Sequence, residues 1–165
     1  MSKKIKYRNL PNLLLKARET MLAQFRPIIS HFGLTEQQWR ILRVLNEAGE
    51  LEQRELAETC LILGPSLTGI LSRMEDVGLV ARARMEGDQR RMTVRMTALA
   101  EKVVDAMSPL ITQQYRHVEQ AYGPEMMADL LALMDRFLAA DHRAVQQVGL
   151  PAPDQIDPEL ARLLK

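Results

Sequence analysis

The sequence predicts a mainly α-helical fold that carries one small β-hairpin. Of the 165 residues, 47% are hydrophobic but only 4% are aromatic, and Leu, Ala and Met are abundant, which favours helices. Apolar residues recur every three or four positions along most of the chain, which is the spacing of a helix. Between Met92 and Met96 this spacing changes to strict alternation, which indicates a strand.

Four helices are predicted before the hairpin. The first begins at Leu10 and ends at a break at Pro27 or Gly33. The second begins at Thr35, because this residue can form a capping box with Gln38.

A short third helix is predicted at about residues 52–60. The fourth begins at Pro65, since proline suits the first helical position. The hairpin then pairs a strand at 82–84 with one at 92–96 across the turn 86–89.

Two long helices and a tail follow the hairpin. Thr97 is expected to cap the fifth helix, in which Pro109 predicts a kink. Gly123-Pro124 separates this helix from the sixth. From Leu150 onward, three prolines and three acidic residues indicate a mobile tail.

Two tightly joined helices followed by a basic hairpin are typical of a winged helix-turn-helix. The first, fifth and sixth helices are too few to bury their own apolar faces, which predicts that they interlock with a second chain in a two-fold dimer. The predicted organisation is an N-terminal dimerisation helix (1–33), a winged helix-turn-helix DNA-binding domain (34–97), C-terminal dimerisation helices (98–149) and the mobile tail (150–165).

The fourth helix has a face of small and polar residues opposite its apolar face. Such a face lets a helix approach base edges and phosphates without steric obstruction, whereas a merely solvated helix more often carries Glu and Lys. The candidate DNA contacts on this helix are Pro65, Ser66, Thr68, Gly69, Ser72 and Arg73.

The hairpin is strongly basic, as is typical of a wing that enters a minor groove, although an arginine-rich strand can also be a solvated edge that resists aggregation. Its candidate DNA contacts are Arg82, Arg84, Arg90 and Arg91. Asp88 is expected to brace Arg90, because a free carboxylate near phosphates is repelled. The basic segment 3–8 either adds phosphate contacts or forms a solvated end.

Specific motifs occur in the hairpin region, at Met74–Val80, Asp88–Arg91 and Met96-Thr97. With these motifs the chain resembles the MarR family of regulators over nearly its whole length except the tail. Three stretches resemble most the branch that regulates homoprotocatechuate operons, namely Phe25–Ile28, Leu34–Ile41 and Pro65–Leu71. The resemblance implies an obligate dimer that represses by binding a palindromic operator through the fourth helix and the wing, and that phenolic acids release. Gly64 stands where that branch usually has Arg, so the operator is expected to differ.

Trp39 and Arg43 lie four residues apart and therefore share one face of the second helix. An indole beside a guanidinium can hold an aromatic ring that bears a carboxylate, but Trp39 could also only staple the helix start while Arg43 stacks on it. The homoprotocatechuate branch uses a Trp and an Arg here and a Tyr at the place of Tyr115. The resemblance thus implies that Arg43 pairs with the carboxylate, Trp39 flanks the ring and Tyr115 hydrogen-bonds the polar end.

Three further residues are weaker candidates for this effector site. Met21 and Phe25 would form an apolar wall, although core packing is their default role, and Asn9 would come from the partner chain. Pro11 replaces an Asn found in some relatives, which alters the expected polar contacts. The predicted effector is therefore either of the 4-hydroxyphenylacetate or homoprotocatechuate type or a hydroxynicotinate.

Composition argues against several other classes of protein. The net charge of +1 disfavours an architectural protein that binds DNA without sequence preference. The single cysteine, Cys60, forbids an intramolecular disulfide framework and suits a reducing compartment. A redox sensor that uses Cys60 is the alternative function, although a lone thiol on an apolar face is usually inert.

The sequence contains no Gly-rich phosphate loop, no His-Glu-x-x-His helix and no nucleophile elbow, and its three histidines are scattered. This predicts that the protein is not an enzyme and uses no cofactor or metal. No apolar run is long enough to span a membrane, so a soluble cytoplasmic protein is expected.

Overall fold

A computed structural model of the chain describes residues 5–85, 88–152 and 155–163. It confirms a mostly helical fold with a small antiparallel sheet. The elements are α1 (Leu10–Ala23), α2 (Arg26–His31), α3 (Glu36–Ala48), β1 (Leu51–Glu52), α4 (Gln53–Cys60), α5 (Gly64–Asp76), β2 (Val80–Met85), β3 (Asp88–Met96), α6 (Ala98–Tyr122), α7 (Pro124–Ala139), a 3-10 turn (His142–Ala144) and α8 (Pro158–Leu163).

The chain forms two compact units, Met1–Tyr122 and Gly123–Lys165. The core of the first unit lies between α3, α4, α5, α6 and one face of the sheet. Its fully buried side chains include Ile41, Leu42, Leu45, Leu56, Cys60, Leu67, Leu71, Met74, Val80, Val94 and Met107. Each buried Leu or Ile stabilises the fold by about 1.5–3 kcal/mol relative to an exposed one. This core fixes one side of α5 and leaves the other side in solvent.

Local signals account for the ends of several elements. The Gln38 backbone N–H donates to Thr35 Oγ1 at 3.2 Å and the Thr35 N–H donates to Gln38 Oε1 at 2.8 Å, so the predicted capping box is confirmed. Thr97 begins α6, as predicted, by accepting from the Ala100 N–H at 3.2 Å. The Thr97 hydroxyl also donates to the Gly78 carbonyl at 2.6 Å, which ties the start of α6 to the end of α5.

The predicted hairpin is confirmed and a third strand is added to it. Arg82 pairs with Val94 and Arg84 with Met92 across β2 and β3. The strand β1 lies on the other edge of β3, where Leu51 pairs with Val94. A strand of two residues has no periodicity, so the sequence did not predict it.

The structure adds detail to three of the predicted helical features. The predicted first helix is in fact two helices, α1 and α2, and the break precedes Pro27, which occupies the first turn of α2, where a missing N–H costs nothing. Pro109 lies inside α6, which extends from Ala98 to Tyr122, and the predicted kink stays a prediction. The predicted tail contains a helix, α8, and its mobility stays a prediction.

Two helices expose more apolar surface than a soluble monomer usually does. None of the α1 residues is buried, and Leu10 and Leu15 are 49% and 60% exposed. In the second unit, α7 buries Met127, while Leu131 and Leu138 are 62% and 71% exposed. Such surfaces mark places where another molecule packs. Among the described residues, no helix combines the length and apolar character needed to cross a membrane.

Candidate DNA-reading surface and effector pocket

The accessible side of α5 carries the six residues predicted to read DNA. Its other side is buried through Leu67, Ile70, Leu71 and Met74. Of the six, four are exposed (Pro65, Ser66, Thr68 and Arg73) and two are half-buried (Gly69 and Ser72). The structure therefore brings them together on one accessible face of α5, and their contact with DNA stays a prediction.

Arg73 extends along this surface. A Cβ built on Gly69 would lie 3.7 Å from Arg73 Nη1, so the guanidinium runs back over the glycine. No acidic side chain in the described ranges pairs with Arg73. The absence of a side chain at Gly69 thus leaves room for the cation, which can reach a phosphate or a guanine edge.

Arg82 braces the wing against α5. Its Nε donates to Glu75 Oε2 at 2.9 Å, and the Arg82 backbone N–H donates to Glu75 Oε1 at 3.2 Å. The hydrogen bond from Arg82 lowers the pKa of the Glu75 carboxyl from its ordinary value. Arg82 was predicted to contact DNA, but this geometry favours a positioning role in which it holds β2 to the end of α5.

Arg91 has a similar attachment at the other edge of the wing. Its Nε donates to Glu52 Oε2 at 2.9 Å, which joins β3 to the start of α4. Arg84 is exposed on β2. Arg90 and Asp88 were predicted to contact DNA and to brace this contact, and their side chains lie outside the described residues. Of the predicted turn, residues 86 and 87 also lie outside them, and residues 88 and 89 belong to β3.

A cavity of about 430 Å³ opens between the α1–α2 segment, α3 and α6. Five of the six predicted effector residues line it, namely Trp39, Arg43, Tyr115, Met21 and Phe25. An adjoining cavity of about 290 Å³ shares Trp39, Arg43 and Tyr115 and extends along α6 to Ser108 and Thr112. The structure therefore places the predicted trio where two adjoining cavities meet.

Aromatic and charged side chains both line the larger of these two cavities. The rings of Phe25 and Tyr115 lie 4.6 Å apart between centroids, at 49° to each other. Arg43 Nη2 donates to Glu47 Oε1 at 2.9 Å. The pKa of Arg43 is raised, chiefly by this hydrogen bond; partial burial opposes the effect and the nearby Tyr115 phenol adds to it. The pocket thus has an apolar side next to a fixed cation.

Asn9, the sixth predicted effector residue, does not line this cavity. Its side chain caps α1 by accepting from the Asn12 N–H at 3.1 Å. It was predicted to reach the pocket of a partner chain, and this role stays a prediction.

The comparisons with known proteins agree on one family. The chain matches the MarR family over residues 32–91. It is 43% identical over 122 residues to the HTH-type transcriptional regulator FarR of Neisseria gonorrhoeae, with 72% of this chain and 84% of FarR covered. It is 41% identical over 126 residues to the homoprotocatechuate degradative operon repressor of Escherichia coli, with 76% and 85% covered. The chain belongs to the MarR family.

A solved structure of a MarR family relative is similar over most of the chain. NadR in complex with 4-hydroxyphenylacetate is 38% identical, with a TM-score of 0.72, and the match covers 86% of this chain and 100% of the NadR chain. The predicted family is therefore confirmed. Its members are transcription regulators and not enzymes.

Four charged residues that line the cavity of about 430 Å³ were not identified from the sequence. They are Arg18, Glu36, Arg40 and Glu47. Glu36, Arg40 and Glu47 lie at helical spacing from Arg43 on α3, so the sequence held a signal for three of the four. Arg40 Nη1 also donates to the Cys60 carbonyl at 2.9 Å, which joins the pocket to the end of α4.

Cys60 lies in the core of the first unit with no exposed surface. Burial raises the pKa of its thiol, and the nearby Arg40 lowers it by a smaller amount. A neutral, covered thiol reacts slowly with oxidants, since the thiolate is the nucleophile. This geometry does not favour the redox alternative.

Proposed function

We propose that the chain forms a homodimer that represses an aromatic-catabolism operon and leaves its palindromic operator when a hydroxylated aromatic acid binds. MarR family regulators bind operator DNA and act as dimers. The observation that carries the proposal for this chain is the pocket in which Trp39, Arg43 and Tyr115 meet.

The proposed DNA contacts are concentrated on α5 and the wing. Because the net charge is only +1, affinity for phosphates must come from local clusters of arginine. Arg73, Arg84 and Arg90 are the proposed cations at the DNA. Arg82 and Arg91 act indirectly, since their contacts with Glu75 and Glu52 fix the position of the wing.

The proposed effector binds with its carboxylate at Arg43. The guanidinium already holds one carboxylate, that of Glu47, in a direct hydrogen bond. A charge-assisted hydrogen bond from Arg43 to a ligand carboxylate that is shielded from water would contribute about 1.5–3 kcal/mol, more than the solvent-exposed bond to Glu47. The ring would lie against Trp39 and the Phe25 side of the cavity, and the Tyr115 phenol would bind the polar end.

The size of the pocket limits the ligand. A volume of about 430 Å³ lies near the lower end of the range for ligand pockets, which favours an acid with a single ring. The 4-hydroxyphenylacetate class is preferred, because NadR, 38% identical to this chain, is found in complex with that acid. A hydroxynicotinate is the second candidate, since it also bears a carboxylate and a hydroxyl group and has a single aromatic ring.

Release would follow from a change in the spacing of the two DNA-reading helices. These helices must lie about 34 Å apart to enter successive major grooves. The pocket lies between α3 of the winged domain and α6, and Arg40 connects it to α4 through the Cys60 carbonyl. A tenfold shift of population needs only about 1.4 kcal/mol of differential binding.

The exposed apolar surfaces support a homodimer. The leucines exposed on α1 and on α7 would be costly to leave in water, and these helices were predicted to interlock with a second chain. We expect size-exclusion chromatography with light scattering to give the mass of two chains. A monomer at micromolar concentration would contradict this part of the proposal.

Operator release tests the whole proposal. A fluorescent duplex is first selected from randomised DNA by the purified protein, and 4-hydroxyphenylacetate, homoprotocatechuate and 6-hydroxynicotinate are then titrated into the complex. We expect at least one acid to lower DNA affinity tenfold or more. If no acid changes the affinity, sensing is refuted, and if selection yields no preferred sequence, operator recognition is refuted.

A further inference from the structure

Gln53, at the start of α4, contacts the DNA-reading face of α5. Its Nε2 donates to Thr68 Oγ1 at 2.7 Å. Both side chains line an open groove of about 1040 Å³ between α4, α5 and β3. Gln53 was not predicted to have any role, and it joins the two helices of the helix-turn-helix at the surface.

The hydrogen bonds of Thr68 determine what its side chain can offer to DNA. A hydroxyl has one proton and two acceptor positions, whereas the amide nitrogen of Gln53 only donates. The Thr68 hydroxyl must therefore accept from Gln53, and its proton goes to the Gly64 carbonyl, 3.1 Å away. No proton is left to donate to a base.

These two hydrogen bonds also fix the χ1 angle of Thr68, because they hold the hydroxyl between α4 and the preceding turn of α5. With the hydroxyl held in this way, the methyl group is the part of the side chain that is free to touch another molecule. Thr68 is exposed. The apolar feature that a methyl group meets in the major groove is the C5-methyl group of thymine.

We propose that Gln53 and Thr68 form a specificity pair, in which Gln53 fixes Thr68 so that its methyl group selects a thymine in each half-site. The proposal rests on the proposed operator binding and names one of its specificity determinants. Gln53 is a positioning residue and Thr68 is the residue that touches the base.

The pair is tested by removing the methyl group of thymine from the DNA and, separately, the methyl group of Thr68 from the protein. A duplex selected from randomised DNA by the wild-type protein is remade with each thymine in turn replaced by deoxyuridine, which lacks only the methyl group. With the wild-type protein, deoxyuridine at one symmetric position should lower the affinity for the duplex about fourfold per half-site. This is the contribution of one buried methyl group. Thr68→Val carries a methyl group at both γ positions, so it presents one without the hydrogen bond from Gln53 and should show the same loss, whereas Thr68→Ser should show none.

Gln53→Met removes the amide while retaining similar length. It should lower the affinity for the thymine duplex by up to about fourfold per half-site and leave the affinity for the deoxyuridine duplex close to that of the wild type, so the thymine preference at that position falls, which measures positioning and not stability. Both sites are at the surface, so circular dichroism and dimer mass should be unchanged in all variants. Equal deoxyuridine losses for wild type and Thr68→Ser would overturn the proposal. If selection with the wild type returns no preferred sequence, operator recognition itself fails, which is a different result.

Discussion

Glu47 provides a sharp test of where the effector carboxylate binds. Its carboxylate accepts from Arg43 Nη2 at 2.9 Å, and the two side chains are 65% and 44% exposed, respectively. A ligand carboxylate at Arg43 must displace Glu47 or share the guanidinium with it. The variant Glu47→Gln keeps the size of the side chain and removes its charge, so we expect the acid to bind more tightly.

The magnitude follows from the exposure of the pair. Breaking an exposed ion pair costs about 0.2–1 kcal/mol. Two carboxylates about 5 Å apart near a protein surface repel by up to about 3 kcal/mol, but solvent screening at this exposure moves the effective value toward the lower figure. We therefore expect binding of 4-hydroxyphenylacetate to tighten about two- to fivefold.

Calorimetric titration without DNA gives this affinity directly. The neutral amide of 4-hydroxyphenylacetate is the ligand control, and Glu50→Gln, which removes a negative charge just beyond α3 and outside the pocket, is the protein control. Only the acid, and only with Glu47→Gln, should bind more tightly. An unchanged affinity, or an equal gain for the amide, would refute the placement of the carboxylate at Arg43.

Three further variants test other parts of the account. Arg40→Met should leave the DNA affinity within about threefold of the wild type. It should also bring the ratio of the DNA affinities without and with effector close to one. An unchanged ratio contradicts the proposed connection between the pocket and α4. Cys60→Ser should respond to peroxide as the wild type does in a DNA-binding assay, and operator release that only the wild type shows would revive the redox alternative. Because Arg82 lowers the pKa of Glu75, their contact stabilises the wing above the ordinary glutamate pKa and is lost as pH falls through the lowered value. Glu75→Gln should therefore flatten the acid side of the melting-temperature profile, and an unaltered profile contradicts this role.

Features encoded by nearby residues could be predicted from the sequence. The capping box of Thr35 and Gln38 spans three positions, and alternation across Met92–Met96 is a local property of one strand. Trp39 and Arg43 share a helix face because of their spacing alone. Tyr115 joined them only through family resemblance, since 72 positions separate it from Arg43 in the sequence.

The contacts that the sequence could not predict join elements that are distant along the chain. Gln53 and Thr68 lie 15 positions apart, and Arg91 and Glu52 lie 39 apart. No periodicity relates such pairs, because their meeting depends on how α4, α5 and the sheet pack on the core. Arg82 is an example. Its charge predicted a DNA contact, but no pattern in the sequence indicated its hydrogen bond to Glu75.

One measurement tests most directly whether an acid held by Arg43 controls DNA binding. The anisotropy of a labelled, selected duplex is followed while 4-hydroxyphenylacetate is added to wild-type protein and to Arg43→Gln. Both proteins should bind the duplex equally well at first, and the variant should need at least about tenfold more acid for release, because it lacks the charge-assisted hydrogen bond. Release of both proteins at the same concentration of acid would contradict the account.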